Sequence, residues 1–347
     1  MTQYVDWKFA KTAGARLVPP GPDVSHDEAA EIVGEIHEHA DAAVAPVGAT
    51  SRMHAPGDAP APLVVDRPTW IEVNADSMAA MLTPALEAAA RRRDREPWGP
   101  AQAVGSKLTG AEAGGMLAFL STKVLGQYDI APGGTPALLL VAPNIVTTER
   151  ELAVKPRDFR LWVCLHEETH RVQFTAVPWL REHLITSAQG LATELMPDSE
   201  ALRSRFEQVT SQLPKVFSGE GQGLAELVIT PEQRERLAEV TAVMSLLEGH
   251  ADVVMDDVGP AHVPSVAEIR ARFSQRRKGA GAVDRLLRRL LGLEAKMRQY
   301  RDGATFVRTV QEVVGVDGFN AVWTSPETLP TAREITDPTT WVRRVHG

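Results

Sequence analysis

The stretch from Arg160 to Phe174, RLWVCLHEETHRVQF, carries two histidines four residues apart, His166 and His170, with Glu167 directly after the first. On a helix, residues four apart sit one turn apart on the same face, so both imidazoles can reach one metal ion. Glu167 lies about 100° around the axis from His166. From there its carboxylate can stand beside a metal-bound water without being a ligand. It can take the proton when that water attacks and pass it to the leaving group. The competing reading is a core helix whose histidines are hydrogen-bonded and nothing more. Trp162, Val163, Leu165 and Phe174 make the helix apolar, so two imidazoles and a carboxylate inside it call for partners, and a metal is one.

Such a site needs a third protein ligand. Position 176, ten residues after His166, is alanine, which excludes a histidine there. The stretch SLLEGHADVVMD holds Glu248 and Asp252, again one helical turn apart. Glu248 is the expected third ligand, with His250 as the alternative. Asp252 is expected to accept a hydrogen bond from the outer nitrogen of a ligating histidine and so to fix its tautomer. The apolar run VTAVMSLL ahead of Glu248 turns that residue inward. Gly249 removes a side chain where two helices must pack closely. The other polar residues have simpler readings. Glu168 and Arg171 read as a surface ion pair. Cys164 reads as a small core residue, and His183 as too far along to join the ligand face. His26, His37, His39, His54, His262 and His346 read as surface residues.

These groups must be held by helices. One is expected over 156–174, opened by Pro156 and stopped before Pro178. Others fit 178–192, 196–213, 231–257, 263–278, 281–301 and 303–315. TPALLLVAPN, short, apolar and bounded by turn residues, is the best strand, expected at 136–142 beside the metal cleft. NIVTTERELAVK would then be a short connector into the metal-site helix. Upstream, Ser25 with Glu28 forms a capping-box spacing. Pro56 to Pro68 reads as a hinge or covering loop. Thr83-Pro84 reads as a helix start, and Thr109 with Glu112 as another, for a helix ending near Gly126. Gly110, Gly114 and Gly115 would let another helix approach. The proline-rich tail TSPETLPTAREITDPTTW reads as an extended surface segment. The fold class is mainly α with a small β element. The parts are an N-terminal helical region, 1–130, and a metal-site region, 131–347, within one composite domain.

Composition narrows the partners. The 347 residues are 44% hydrophobic and 24% charged, which excludes wholesale disorder. Lys and Arg number 37 against 45 Asp and Glu, a formal charge of -8 that gives no argument for nucleic acid or an anionic membrane as partner. Between Arg270 and Arg308 there are twelve Lys or Arg and three Asp or Glu. Leu286, Leu287, Leu290, Leu291 and Leu293 make this an amphipathic helix with a solvated basic face rather than a nucleic-acid surface. The longest purely apolar run, Ala137 to Ala142, is too short to span a bilayer, which takes about 20 residues. Cys164 is the single cysteine, which excludes an internal disulfide and a multi-cysteine metal site. The N-terminus lacks the apolar core of a secretory signal. A soluble, cytoplasmic protein is expected.

LHEETHRVQF, LLEGHADVVMD, LEAKMRQYRDGATFVRTV and FNAVWTSPETLPTAREITDP together resemble the zincin-like metallopeptidase family of actinobacteria and relatives. Its members carry labels of hydrolases or of proteins associated with deazaflavin-coenzyme biosynthesis. The resemblance runs from VDWKFA to WVRRV and implies a zincin-like metallopeptidase fold and metal site. The pairing of H-E-x-x-H with E-x-x-x-D also resembles the gluzincins. That implies Zn2+ held by His166, His170 and Glu248, with Glu167 as general base and Asp252 behind a histidine. Gluzincin peptidases usually add a Tyr or His that stabilises the tetrahedral oxyanion. Tyr300, Arg301, His250 and Tyr128 have the chemistry for it, and no motif chooses among them. The expected activity is therefore a zinc-dependent hydrolase, a metallopeptidase acting on a peptide or protein substrate. The alternative is a non-catalytic zincin-like metal-binding scaffold or partner-binding protein.

Overall fold

Ala137-Leu-Leu-Leu-Val141 is apolar at every position, the pattern of a strand covered on both faces. In the computed structural model, which describes residues 4–57, 59–92, 100–195, 230–278 and 293–347, this strand is β3, the centre of a three-stranded sheet. β1 (Leu63–Val65) pairs with it in parallel, Leu63 opposite Leu139. β2 (Gly126–Asp129) pairs antiparallel, Gln127 opposite Leu139. Side chains alternate between the two faces. Leu140 joins the large core with Ile36, Phe159, Leu165 and Leu246. Leu139 and Val141 join a smaller one with Trp70, Ile71 and Leu117. The rest of the described chain is helical, so the mainly α class with a small β element holds.

α1 (Trp7–Leu17), α3 (Arg67–Arg92) and α4 (Pro100–Ser121) pack together around the smaller core. α1 crosses α4 at glycines: a Cβ on Gly110 or Gly114 would lie 2.5 Å from the carbonyl oxygen of Asp6 or Ala10. Gly115, in contrast, faces open space. α6 (Pro156–Ala176) covers the other side of the sheet. It is flanked by α2 (His26–Ser51), α5 (Ala142–Leu152), α7 (Leu180–Leu195) and α8 (Pro231–Val258). α9 (Val266–Lys278) also touches α6. α10 (Leu293–Phe319) packs along α8 and breaks at Gly315, whose φ of 73° is left-handed. Gly249 of α8 meets Gly303 of α10 so closely that a Cβ on either would overlap the other helix's backbone. β2 and β3 pair across position 130, and α2 packs on α6 across the same boundary, so residues from both parts of the chain meet in the sheet and in the larger core.

Several local expectations are corrected. Thr83-Pro84 lies inside α3. The carbonyl of Ala80, which Pro84 leaves without its helical donor, instead accepts from Gln189 Nε2 at 3.3 Å, so the helix tolerates the proline. Thr109 also sits mid-helix, its hydroxyl donating to the Gly105 carbonyl at 2.7 Å, and that helix ends at Ser121 with Gly126 opening β2. The Pro56–Pro68 loop contains β1. The connector into α6 is itself the helix α5. No boundary falls at 301–303, since α10 runs through it. The tail is folded rather than extended: two 3-10 turns precede α11 (Ala332–Thr336) and α12 (Pro338–His346), and Trp341 is fully buried. Pro326 and Pro338 open helical turns there, a position where a missing N–H costs nothing. The helix expected at 196–213 and the leucines 286, 287, 290 and 291 lie outside the described residues, as does the side chain of Leu293. The arginines at the ends of the basic stretch do pair with acids: Arg270 with Asp256, and Arg308 with Asp257.

Candidate metal centre

α6 begins at Pro156, pre-set for a first helical turn, and runs for 21 residues without interruption. Its heptad-like apolar faces press against α2 on one side and the sheet on another, and this burial fixes its rotation. His166 and His170 then project from one row, their rings edge to face with centroids 4.7 Å apart. Their Nε2 atoms point at each other, 3.2 Å apart. Glu248 comes from α8, and its Oε2 lies 3.6 Å from His166 Nε2 and 3.8 Å from His170 Nε2. Two imidazole nitrogens and one carboxylate oxygen therefore converge, and among the described residues this is the group able to hold a metal ion. Tetrahedral zinc with ligand bonds of 2.0–2.1 Å places its ligand atoms about 3.3 Å apart, so separations of 3.2–3.8 Å suit it. Among the described His, Cys, Asp and Glu side chains no fourth joins the cluster.

Glu167 is 6% exposed and faces β2. Its carboxyl rests over Gly126, where a Cβ would lie 2.5 Å from Cδ and 2.7 Å from Oε1. Only glycine leaves that space. Burial pushes the Glu167 pKa up, to about 7; the charge of His166 opposes this and that of Glu248 adds to it. For His166, burial acts downward, but its hydrogen bond to Glu248 and the charges of Glu167, Glu248 and Asp252 outweigh it and raise the pKa to about 9. His170 is lowered, first by burial. The cluster thus holds more negative charge than its histidines neutralise, the condition a divalent cation relieves.

The remaining expected residues fall as follows. Asp252 lies close enough to act on both histidines through its charge, but no hydrogen bond joins its carboxylate to either ring among the described contacts. The orienting contact is made by Gln173, which no motif announced: its Oε1 lies 2.9 Å from His170 Nδ1. His250 is fully buried, turned away from the cluster, and held down to about 3 by burial and by the charge of His170. Tyr128 stacks on Phe174 with centroids 5.1 Å apart, one turn beyond His170. The side chains of Tyr300 and Arg301 lie outside the described residues. Cys164 is a buried core residue as expected. Glu168 and Arg171 are not a surface pair: they form a bidentate, buried ion pair at 2.6 and 2.8 Å, because α2 covers that side of α6. His39 is likewise buried, with its pKa lowered by that burial. His26, His37, His54, His262 and His346 are exposed. The expected strand, β3, packs on α6, but it is the central strand; the edge beside Glu167 belongs to β2. No described helix is long and apolar enough to cross a membrane.

Comparison with known proteins agrees with this geometry. A crystal structure from Chloroflexus aurantiacus, described as "a putative hydrolase with a novel fold", superposes with a TM-score of 0.68 at 29% identity, covering 98% of each chain. No curated protein matches the chain. The family model of zincin-like metallopeptidases matches residues 5–342, an extent that takes in α6, α8, the sheet and most of the folded tail. The chain belongs to the zincin-like metallopeptidase family.

Proposed function

We propose that the protein is a zinc-dependent hydrolase that cleaves peptide bonds, with Glu167 as its general base. The observation that carries this reading is the convergence of His166, His170 and Glu248 with Glu167 poised next to them over Gly126. Bound zinc would polarise the scissile carbonyl and acidify water. His166, His170 and Glu248 hold it from two helices. Glu167 accepts a proton from the attacking water at its carboxylate and returns it to the leaving amine. A carboxyl standing beside the metal position without being one of its ligands can serve both halves of that transfer. The C. aurantiacus relative's description as a hydrolase supports the same class.

The sheet supports an extended substrate. β2 is an edge strand, and the Val141 N–H donates to the Leu125 carbonyl. Alternation in an antiparallel pair then turns the backbone N–H and C=O of Gly126 and Tyr128 away from β3. Those groups lie beside Glu167, where a peptide in extended form can pair with them.

Metal analysis with a broad peptide library tests the reading. The wild type should hold one zinc per chain and cleave a subset of peptides. Glu167→Gln should hold the same zinc and lose at least about 10²-fold in turnover. Zinc binding with no turnover by the wild type would move the protein to the scaffold class. Retention of zinc by His166→Ala and His170→Ala would remove the metal assignment itself.

A further inference from the structure

Gln173 stands three residues after His170 on α6 and is fully buried. Its side chain makes three contacts. Oε1 lies 2.9 Å from His170 Nδ1. Nε2 donates to the Leu247 backbone carbonyl at 2.9 Å and lies 3.0 Å from His250 Nδ1. These contacts settle where the hydrogens are. A backbone carbonyl only accepts, so the amide must offer its NH2 to Leu247; the flipped amide would set oxygen against oxygen. With the amide fixed in that sense, its oxygen faces His170. An amide oxygen also only accepts, so His170 Nδ1 carries the ring hydrogen. The lone pair is left on Nε2, the atom that points at His166 Nε2 and Glu248.

The second N–H of Gln173 is taken up by His250. That ring accepts at Nδ1 and therefore bears its hydrogen on Nε2. Among the described residues the Nε2 atom is buried without a hydrogen-bond partner, and the ring lies against Phe319 and Trp323 at centroid distances of 5.3 and 5.4 Å. A neutral histidine so enclosed cannot rotate to offer a donor to Gln173. The chain His250, Gln173, His170 has one self-consistent arrangement of hydrogens, fixed at its middle by a main-chain carbonyl.

We propose that Gln173 is the positioning residue for His170: clamped by the Leu247 carbonyl and by His250, its amide holds the His170 ring with hydrogen on Nδ1 and the Nε2 lone pair turned to the metal position. This deepens the proposed function and rests on it in taking His170 as a ligand. The sequence pointed to Asp252 for such a role; the contact is made from within the ligand helix itself. Gln173 acts through His170 and touches no reacting atom.

The test uses the full-length protein, labelled with 15N at histidine, as wild type, Gln173→Met and Gln173→Glu, with His170→Gln to assign the His170 signals. Ring nitrogen shifts of the metal-free protein report the tautomer directly. Wild type should show His170 protonated at Nδ1. Gln173→Met, which fills the space but accepts no hydrogen bond, should show a mixture of tautomers. Gln173→Glu still offers Nδ1 an acceptor, but its second oxygen faces the Leu247 carbonyl and His250 Nδ1, so it should recover the wild-type pattern only in part. Zinc affinity by competition with a chelator should follow the tautomer: about 10–100-fold weaker in Gln173→Met, the usual scale for losing a group that orients a ligand, and partly recovered in Gln173→Glu. A residue that only packs would impair both variants alike. The proposal is overturned if wild-type His170 carries its hydrogen on Nε2, or if Gln173→Met keeps wild-type tautomer and affinity. Should a variant fail to fold, the wild-type spectrum alone decides. If wild type binds no zinc, the functional reading falls while the metal-free spectra still judge Gln173.

Discussion

Gly126→Ala adds one methyl group where Glu167 now lies. The new Cβ would sit 2.5 Å from Cγ and Cδ of Glu167 and 2.7 Å from its Oε1. Ordinary carbon contacts begin near 3.5 Å, so the carboxyl must retreat by about 1 Å. A displacement of that size in a group that handles the proton costs about 10²-fold in rate. The fold itself should suffer little. Overpacking costs about 1–3 kcal/mol, and alanine recovers about 0.5–1 kcal/mol of the entropy penalty that glycine carries in a strand. The three atoms nearest that methyl all belong to Glu167, so zinc content is expected not to change. The assay is turnover of the best library peptide, with zinc measured on the same sample. In the Glu167→Gln background the substitution should add almost no further loss, since both changes act on one group. Turnover within a few-fold of wild type, loss of zinc, or full additivity with Glu167→Gln would each refute the reasoning.

Three further outcomes are expected. Glu248→Ala should abolish stoichiometric zinc by elemental analysis, because the two remaining imidazoles lack their third partner. Between about pH 7 and 9 the metal-free protein should melt at progressively lower temperature: folded His166, with its pKa raised to about 9, holds a proton that the unfolded chain has already lost, so its contribution is present below the unfolded pKa and disappears as pH rises through 9. Over the same window zinc must displace that proton, so its affinity, followed by competition titration, should rise about tenfold per pH unit. Gly249→Ala should lower the melting temperature and zinc affinity together, since a methyl there overlaps the Gly303 backbone and forces α8 away from α10, shifting Glu248 relative to the histidines.

The convergence of His166, His170 and Glu248 with Glu167 beside them was legible because helical spacing alone puts the first two and Glu167 in their relation, and the apolar run before Glu248 turns it inward. What the sequence concealed was long-range. Glu168 and Arg171 have the spacing of a surface pair, and only the packing of α2 on α6 buries them. Gln173 is a polar residue among apolar ones, a signal in itself, but its three partners come from two helices about 75 residues apart. Thr83 and Thr109 misled because a threonine that can cap a helix can equally bond the carbonyl four residues back from within one. The prolines of the tail misled because proline opens a helical turn as readily as it holds an extended chain.

The contact of Gly249 with Gly303 constrains how substrate can enter. It lies one residue from Glu248, so α8 has no room to pivot against α10 there. Any movement that draws Glu248 back must carry along the part of α10 before its break at Gly315. The helical wall of the cleft is therefore its fixed jaw. The opposite side is formed by β2, which is pinned as well: its inner edge pairs with β3, Gln127 accepts from Trp70 and donates to Asn74, and Asp129 accepts from Ser77. Both sides of the metal position are therefore expected to stay still, with substrate entering along the outer edge of β2 without a hinge.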